Sequence, residues 1–330
     1  MKRPVPERER GAALLAVLLL VAVMGALSAT ALERLRLSTS LAANISALDQ
    51  ARNFAVGVES LLTLKIDDLL AANAERTTLA GGWNGETRRL PMPGGGIAEA
   101  TLRDGGNCFN INSVADGILP TALTPRPAGV AQFVALMRVL GVPEGEARRI
   151  GDGAGDWADS DQNRSRDGAE DADYGRAGQG YLTGGTLFAD ISELRAVSGM
   201  TPEIYEQIRP WLCALPTTDL SGFNINTLTV EQAPLVAMLA PDRISVDAAR
   251  RAIAERPTAG WTDLYEFYAH PALNSPLLPL DVQSQPQLRT RWFTLDLQVE
   301  LQGAELRETA LVDARLSPAR IAVRRWGTED

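Results

Sequence analysis

An uncharged apolar run of 21 residues, Ala12 to Leu32, constrains this chain more than any other feature. As a helix rising about 1.5 Å per residue it spans roughly 31 Å, the depth of a bilayer's hydrocarbon core, so it reads as a transmembrane helix. Lys2, Arg3, Arg8 and Arg10 precede it. Such a basic flank stays in the cytoplasm, which sends everything beyond Leu32 across the membrane. A cleaved secretory signal is the competing reading, because Ala29-Thr30-Ala31 suits a small-residue cleavage site. Against it, the run exceeds the roughly 7–15 apolar residues of such signals, and the helical pattern continues past it without a breaker.

Leu41, Ile45, Leu48, Ala55, Val58, Leu62, Ile66 and Leu69 recur in steps of three, four or seven, one apolar stripe on a helix. No proline or glycine interrupts residues 27–56. A single rod from Ala12 to about Ala72 is expected, with residues 12–32 in lipid and residues 33–75 lying against something apolar.

A short charged leader ending in Gly11 ahead of a retained hydrophobic helix resembles the prepilin class. The resemblance implies cleavage between Gly11 and Ala12 by a prepilin peptidase, with residues 1–11 as leader and a methyl group added at Ala12. That class usually carries Glu at the fifth mature position, where this chain has Ala16. A subunit lacking that carboxylate suits a place with no partner amine above it.

The formal charge of −9 comes without a long basic stripe, which argues against nucleic acid as a partner. Cys108 and Cys213 are too far apart for a CxxC motif. In an exported chain they either pair, which the loop-entropy model values at about 4–5 kcal/mol, or stay as two buried thiols. The single histidine, His270, excludes a multi-histidine metal centre within one chain and reads as structural. Neither GxSxG nor a P-loop occurs.

Residues 81–96 are rich in Gly, Pro, Thr and Asn and read as a loop. Alternation then marks a strand at Ile97 to Arg103, a clearer one at Phe293 to Leu301, a third at Glu305 to Leu316 and a last at Ile321 to Trp326. Between these strands the pattern is helical. The expected fold is α+β: a long N-terminal helix on an antiparallel sheet built from residues 76–115 and 287–330, with residues 116–286 inserted as a helical domain. The insert begins and ends near a repeated phrase: Phe109-Asn110-Ile111-Asn112-Ser113 returns as Phe223-Asn224-Ile225-Asn226-Thr227, and Ala147-Arg148-Arg149 returns as Ala249-Arg250-Arg251. These echoes indicate two related helical units, similar to helix-hairpin-helix and SAM-like domains. Thr201-Pro202 starts a helix to about Leu212, Thr229 with Gln232 forms a capping box for a helix to about Leu239, and Ser245 and Thr262 cap two more.

Eight carboxylates crowd the stretch from Asp152 to Asp173, within an acidic loop placed at residues 152–175. Such a density repels itself unless solvated or neutralised. Asp159, Asp161, Asn163 and Glu170 occupy positions 1, 3, 5 and 12 of a calcium-type loop, with Asp171 and Asp173 as further candidate ligands. Arg164 at position 6, where glycine is needed, rules out a true EF-hand. Oxygen ligands on an irregular loop favour Ca²⁺ over Mg²⁺.

Gly11-Ala12-Ala13-Leu14-Leu15, Cys108-Phe109-Asn110-Ile111-Asn112-Ser113, Asp156-Trp157-Ala158-Asp159-Ser160-Asp161, Gly168-Ala169-Glu170-Asp171, Glu193-Leu194-Arg195, Cys213-Ala214-Leu215-Pro216 and Asn224-Ile225-Asn226-Thr227 follow one another in this chain. In that order they resemble general secretion pathway protein K, the large minor pseudopilin of bacterial type II secretion. The resemblance implies a pilin-like domain with a helical insert, calcium in the acidic loop, and a non-enzymatic role at the pseudopilus tip beside minor pseudopilins I and J. It also implies an inner-membrane anchor, a periplasmic head and a part in exporting proteins, with secreted substrates as further partners. Two rival readings are a membrane-anchored periplasmic hydrolase using the acidic loop and an exported helix-hairpin-helix DNA-binding protein.

Overall fold

The computed structural model describes residues 7–119, 121–176, 178, 180–273 and 278–327, so residues 1–6 of the expected leader lie outside it. Helix α1 (Glu7–Ala72) runs unbroken for 66 residues, about 100 Å. An apolar window of mean hydropathy 2.5 lies within it, and none of that window is buried. Packing begins only at Ala47, whereas Leu41 and Ile45 of the expected stripe remain exposed. Ala47, Ala51 and Ala55 are buried. Their small side chains let the helix backbone come close to the sheet, which larger residues would hold off.

After α1 come β1 (Thr87–Pro91) and β2 (Ile97–Asp104). The expected loop at 81–96 therefore contains a strand. Thr-Arg-Arg-Leu-Pro lacks an apolar alternation because β1 is an edge strand with most of its residues exposed, and its order comes from pairing with β2. Short ladders β3 (Phe109–Asn110), β4 (Ala115–Asp116) and β5 (Thr124–Pro125) lead into α2 (Pro127–Val139), α3 (Glu144–Ala158) and α4 (Asp171–Arg176). The second half of the insert holds α5 (Pro202–Ile208), β6 (Leu212–Cys213), β7 (Phe223–Asn224), α6 (Ala233–Ala237), α7 (Val246–Ala254), α8 (Leu264–Tyr268), α9 (Leu280–Gln283) and β8 (Pro286–Gln287). The chain closes with β9 (Trp292–Leu301), β10 (Ala304–Asp313) and β11 (Arg320–Trp326).

The main sheet has strand order β1-β2-β9-β10-β11, all antiparallel. Leu295, Leu297, Val299 and Leu301 alternate inward along β9 and meet Ala51, Ala55 and Val58 of α1. A second cluster joins Ile66 and Leu70 to Leu102, Phe293 and Val312 further along the helix. At roughly 25 cal/mol per Å² of buried apolar surface, these two clusters fasten the lower half of the rod to the sheet.

The insert has its own core, centred on Phe109, Phe133, Ile150, Leu194, Phe223 and Phe267. That core includes Phe109 to Ala115, so it begins before the expected boundary at 116. The reason is local: Cys108 and Cys213 are joined as a disulfide, and the residues beside them form the parallel β3–β6 ladder.

The sequence echo is a structural repeat. Asn110 Oδ1 accepts from the Asn112 backbone N–H at 3.2 Å, and Asn224 Oδ1 accepts from that of Asn226 at 2.9 Å. Each second asparagine then grips a distant segment through both ends of its amide, Asn112 at Phe188 and Asn226 at Trp261. Helix ends differ in detail from expectation. α5 stops at Ile208 and tightens into a 3₁₀ turn over Arg209–Trp211, because Pro210 cannot continue the α ladder. The Thr229 and Gln232 capping box forms, and the helix after it ends at Ala237. Ser245 caps α7, whereas α8 is capped by Asp263 in place of Thr262.

Candidate metal centre

Helix α3 ends inside the acidic stretch, so residues 152–158 are helical and not loop. Its last turn carries Asp156, and Asp159 is its C-cap. Three residues apart, the two side chains lie on one face of the helix end. The chain then loops out, and Glu170 comes back just before α4. One carboxylate oxygen from each of Asp156, Asp159 and Glu170 falls within 4.8 Å of the others. All three residues are buried, at 0%, 1% and 3% exposure.

Buried carboxylates normally collect hydrogen-bond donors, and these three differ in that respect. Asp156 accepts from the backbone N–H of Ser165, at 3.1 Å and 3.0 Å to its two oxygens. Neither oxygen of Glu170 meets a donor, and Asp159 has only the backbone N–H of Asp161 close by, outside full hydrogen-bond geometry. Burial, and then the charges of Asp161 and Asp156, push the Asp159 carboxyl up to about 7. Burial, and then the charge of Asp159, push Glu170 up to about 8. Two acceptor-only groups held together with so little donation need either protons or a cation between them.

The surroundings are shaped around this cluster. Gly168 crosses Asp156 so closely that a Cβ at 168 would collide with its carboxylate. Trp157 packs on the other side, stacked on Phe188 and edge-on to Tyr174 and Tyr181. Tyr174 is itself buried, and its hydroxyl accepts from the Ser198 backbone N–H at 3.0 Å.

Of the six candidate ligands, four from spacing and two added, the structure brings Asp159 and Glu170 together. Asp161 stands beside them, its charge acting on both, while its Oδ1 accepts from the Asn163 N–H at 2.6 Å. The Asn163 side chain is on an exposed residue. Asp171 is taken by Thr183, through the backbone N–H at 2.9 Å and the hydroxyl at 2.8 Å. Asp173 accepts from the Glu170 N–H at 3.2 Å and faces Arg164 and Arg176. The spacing rule passed over Asp156, because it lies upstream of the loop, on the helix. Its position one helical turn before Asp159 was the available signal.

Family models described as type II secretion system (T2SS), protein K match residues 107–217 and 223–288. A protein K of Pectobacterium carotovorum subsp. carotovorum is 32% identical over 324 residues, covering 97% of both chains. The chain belongs to the type II secretion system protein K family. It is a minor pseudopilin, as the resemblance of its motifs implied. The Klebsiella pneumoniae protein K is 35% identical over 268 residues and 81% of each chain. A solved chain from the GspK-GspI-GspJ complex of enterotoxigenic Escherichia coli matches with a TM-score of 0.72 and 29% identity, covering 85% of this chain and 97% of that one. The two matched segments of this chain divide the insert between its echoes: the first spans Phe109 to Ser113, the second opens at Phe223.

Proposed function

We propose that this protein caps the tip of a periplasmic pseudopilus, held in the inner membrane by residues 12–32 of α1 until assembly and contacting minor pseudopilins I and J through the exposed part of that helix. The supporting observation is the likeness to a chain seen in a GspK-GspI-GspJ complex, covering nearly all of that chain. The geometry explains the role. α1 offers an exposed apolar rod from Leu14 to Ile45, which neighbouring helices can cover. Heterologous contacts extend a helical assembly until something blocks the next subunit, and the bulky insert supplies the block. Ala16 leaves no carboxylate to meet the amine of a subunit above, as befits an end position.

In this reading the acidic centre binds Ca²⁺ through Asp156, Asp159, Asp161 and Glu170. Its all-oxygen, irregular donor set and the donor-poor buried carboxylates fit a hard cation. The ion would neutralise the cluster and tie the end of α3 to the start of α4. Its role is structural, and the protein is not an enzyme: Asp156, Asp159 and Glu170 are too deeply buried to meet a polymeric substrate.

The test is co-expression of the full chain with minor pseudopilins I and J, followed by purification from membranes. A stoichiometric complex is expected, with the mass of this subunit reduced by residues 1–11. A chain that is cut after Ala31, or that purifies alone, would remove the tip assignment.

A further inference from the structure

Glu308 occupies an unusual place. It lies in the middle of β10, at a position where the strand alternation points toward α1 between Leu306 and Ala310. Glu59 of α1 faces it, near enough that each carboxylate acts on the other's titration. Both residues are buried, at 2% and 5% exposure. Arg324 of β11 reaches across them. It donates twice to Glu59, through Nε at 2.7 Å and a terminal nitrogen at 2.6 Å, and stands 3.3 Å from Glu308. Apart from that long contact, the oxygens of Glu308 meet no donor.

Two buried carboxylates facing one half-exposed guanidinium leave a net negative charge, and two bare carboxylates cannot hydrogen-bond to each other. A proton between them resolves both problems. We propose that Glu59 and Glu308 share one proton at neutral pH and, with Arg324 laid across them, form a pH-sensitive clasp that fastens β10 and β11 to α1.

Among the described residues, the charges that act on the pair are their own and that of Arg324. β9 presents Leu295, Leu297 and Val299, β10 presents Leu306 and Ala310, and α1 presents Ala55 and Val58. The nearest further charges on α1 are engaged elsewhere: Arg52 with Asp49, Lys65 with Asp68, and Asp67 with the backbone N–H of Ala319. Burial, then the bond and charge of Glu59, raise the Glu308 carboxyl to about 8. Burial also acts to raise Glu59, but the bonds to Arg324 and Glu308 outweigh it and hold Glu59 below its ordinary value. The signs therefore differ. The stabilisation from Glu308 is complete below its unfolded pKa of 4.5 and is lost as pH climbs through about 8. That from Glu59 is present above 4.5 and lost on strong acidification.

When the shared proton leaves to solvent, the two carboxylates repel and β11 loosens from α1. Arg325, the next residue, pairs with Asp190 of the insert at 2.7 Å. A loosened β11 therefore also weakens the footing of the insert on the sheet.

The experiment is unfolding of the full chain in detergent micelles from pH 5.5 to 8.5, with excess Ca²⁺, for the wild type and Glu308→Gln. One retained proton makes the unfolding constant of the wild type rise by up to about tenfold per pH unit. Glu308→Gln, whose amide donates to Glu59 at every pH, should flatten that rise. An equal slope in both proteins would overturn the clasp. Should Glu308→Gln fail to fold, carboxyl-carbon NMR of ¹³C-glutamate-labelled Glu170→Gln protein decides. One glutamate protonated until near pH 8 supports the clasp, and complete glutamate ionisation by pH 6 overturns it.

Discussion

The side-chain amide of Asn224 donates to the backbone carbonyl of Thr77 at 2.9 Å, tying the second half of the insert to the segment that leaves α1. The same nitrogen reaches the Thr290 hydroxyl at 3.0 Å, just before β9. One buried side chain thus sets how the head sits on the rod. Its counterpart in the first repeat, Asn110, donates within the insert, to Thr217 at 2.8 Å. Asn224→Ala would strand the Thr77 carbonyl and should cost about 1–3 kcal/mol of stability, read from a lower denaturant midpoint of the full chain. Proteolysis at the junction near residues 73–78 should quicken more in Asn224→Ala than in Asn110→Ala.

Gly168 tests how closely the acidic centre is built. Gly168→Ala would push a methyl group into Asp156 and should lower stability by about 1–3 kcal/mol while weakening Ca²⁺ binding at least tenfold. Gly175→Ala, with nothing within 4 Å of the added Cβ, is the control and should change neither quantity. Isothermal titration and thermal melts read both.

If the acidic centre binds calcium as proposed, removing it should expose the charge problem of the site. At a free concentration 100 times its dissociation constant, a structural ion adds about 2.7 kcal/mol, so chelation should lower the melting temperature. Without the ion, Asp159 and Glu170 titrate near 7 and 8 in the folded state, above their ordinary values of 3.8 and 4.5. Their protonated forms stabilise fully below the ordinary values, and that support is lost as pH rises through about 7 and 8. The chelated protein should melt earlier at pH 8 than at pH 6. A double Asp159→Asn, Glu170→Gln variant should lose both that slope and the response to calcium.

Reduction of Cys108–Cys213 should be costly because the bridge spans 105 residues. The loop-entropy model gives about 4–5 kcal/mol. Cys213→Ala should show that loss in non-reducing unfolding, with amide exchange faster at Phe109 and Leu212, which pair across the β3–β6 ladder.

Local chemistry made much of this architecture readable in advance. The charge-free run to Leu32 and the absence of a breaker specify a long helix, because hydration and backbone geometry act residue by residue. Alternation at Phe293 to Leu301 specifies a strand with one buried face, and Thr229 with Gln232 specifies a cap, since each of these signals is complete within a few residues. The paired Asn-x-Asn phrases likewise marked two units before any contact was known. Contacts across the chain decided the rest. β1 has no pattern of its own and exists by pairing with β2. Asp156 became part of the acidic centre because α3 ends there, and the chain returns at Gly168 to bring Glu170 alongside. Asp171 and Asp173 turn instead to Thr183 and to two arginines, partners that the folded chain brings beside them. Glu59 and Glu308 are separated by 249 positions, so only the packing of α1 on the sheet could make them neighbours and remove the water that would otherwise keep them apart.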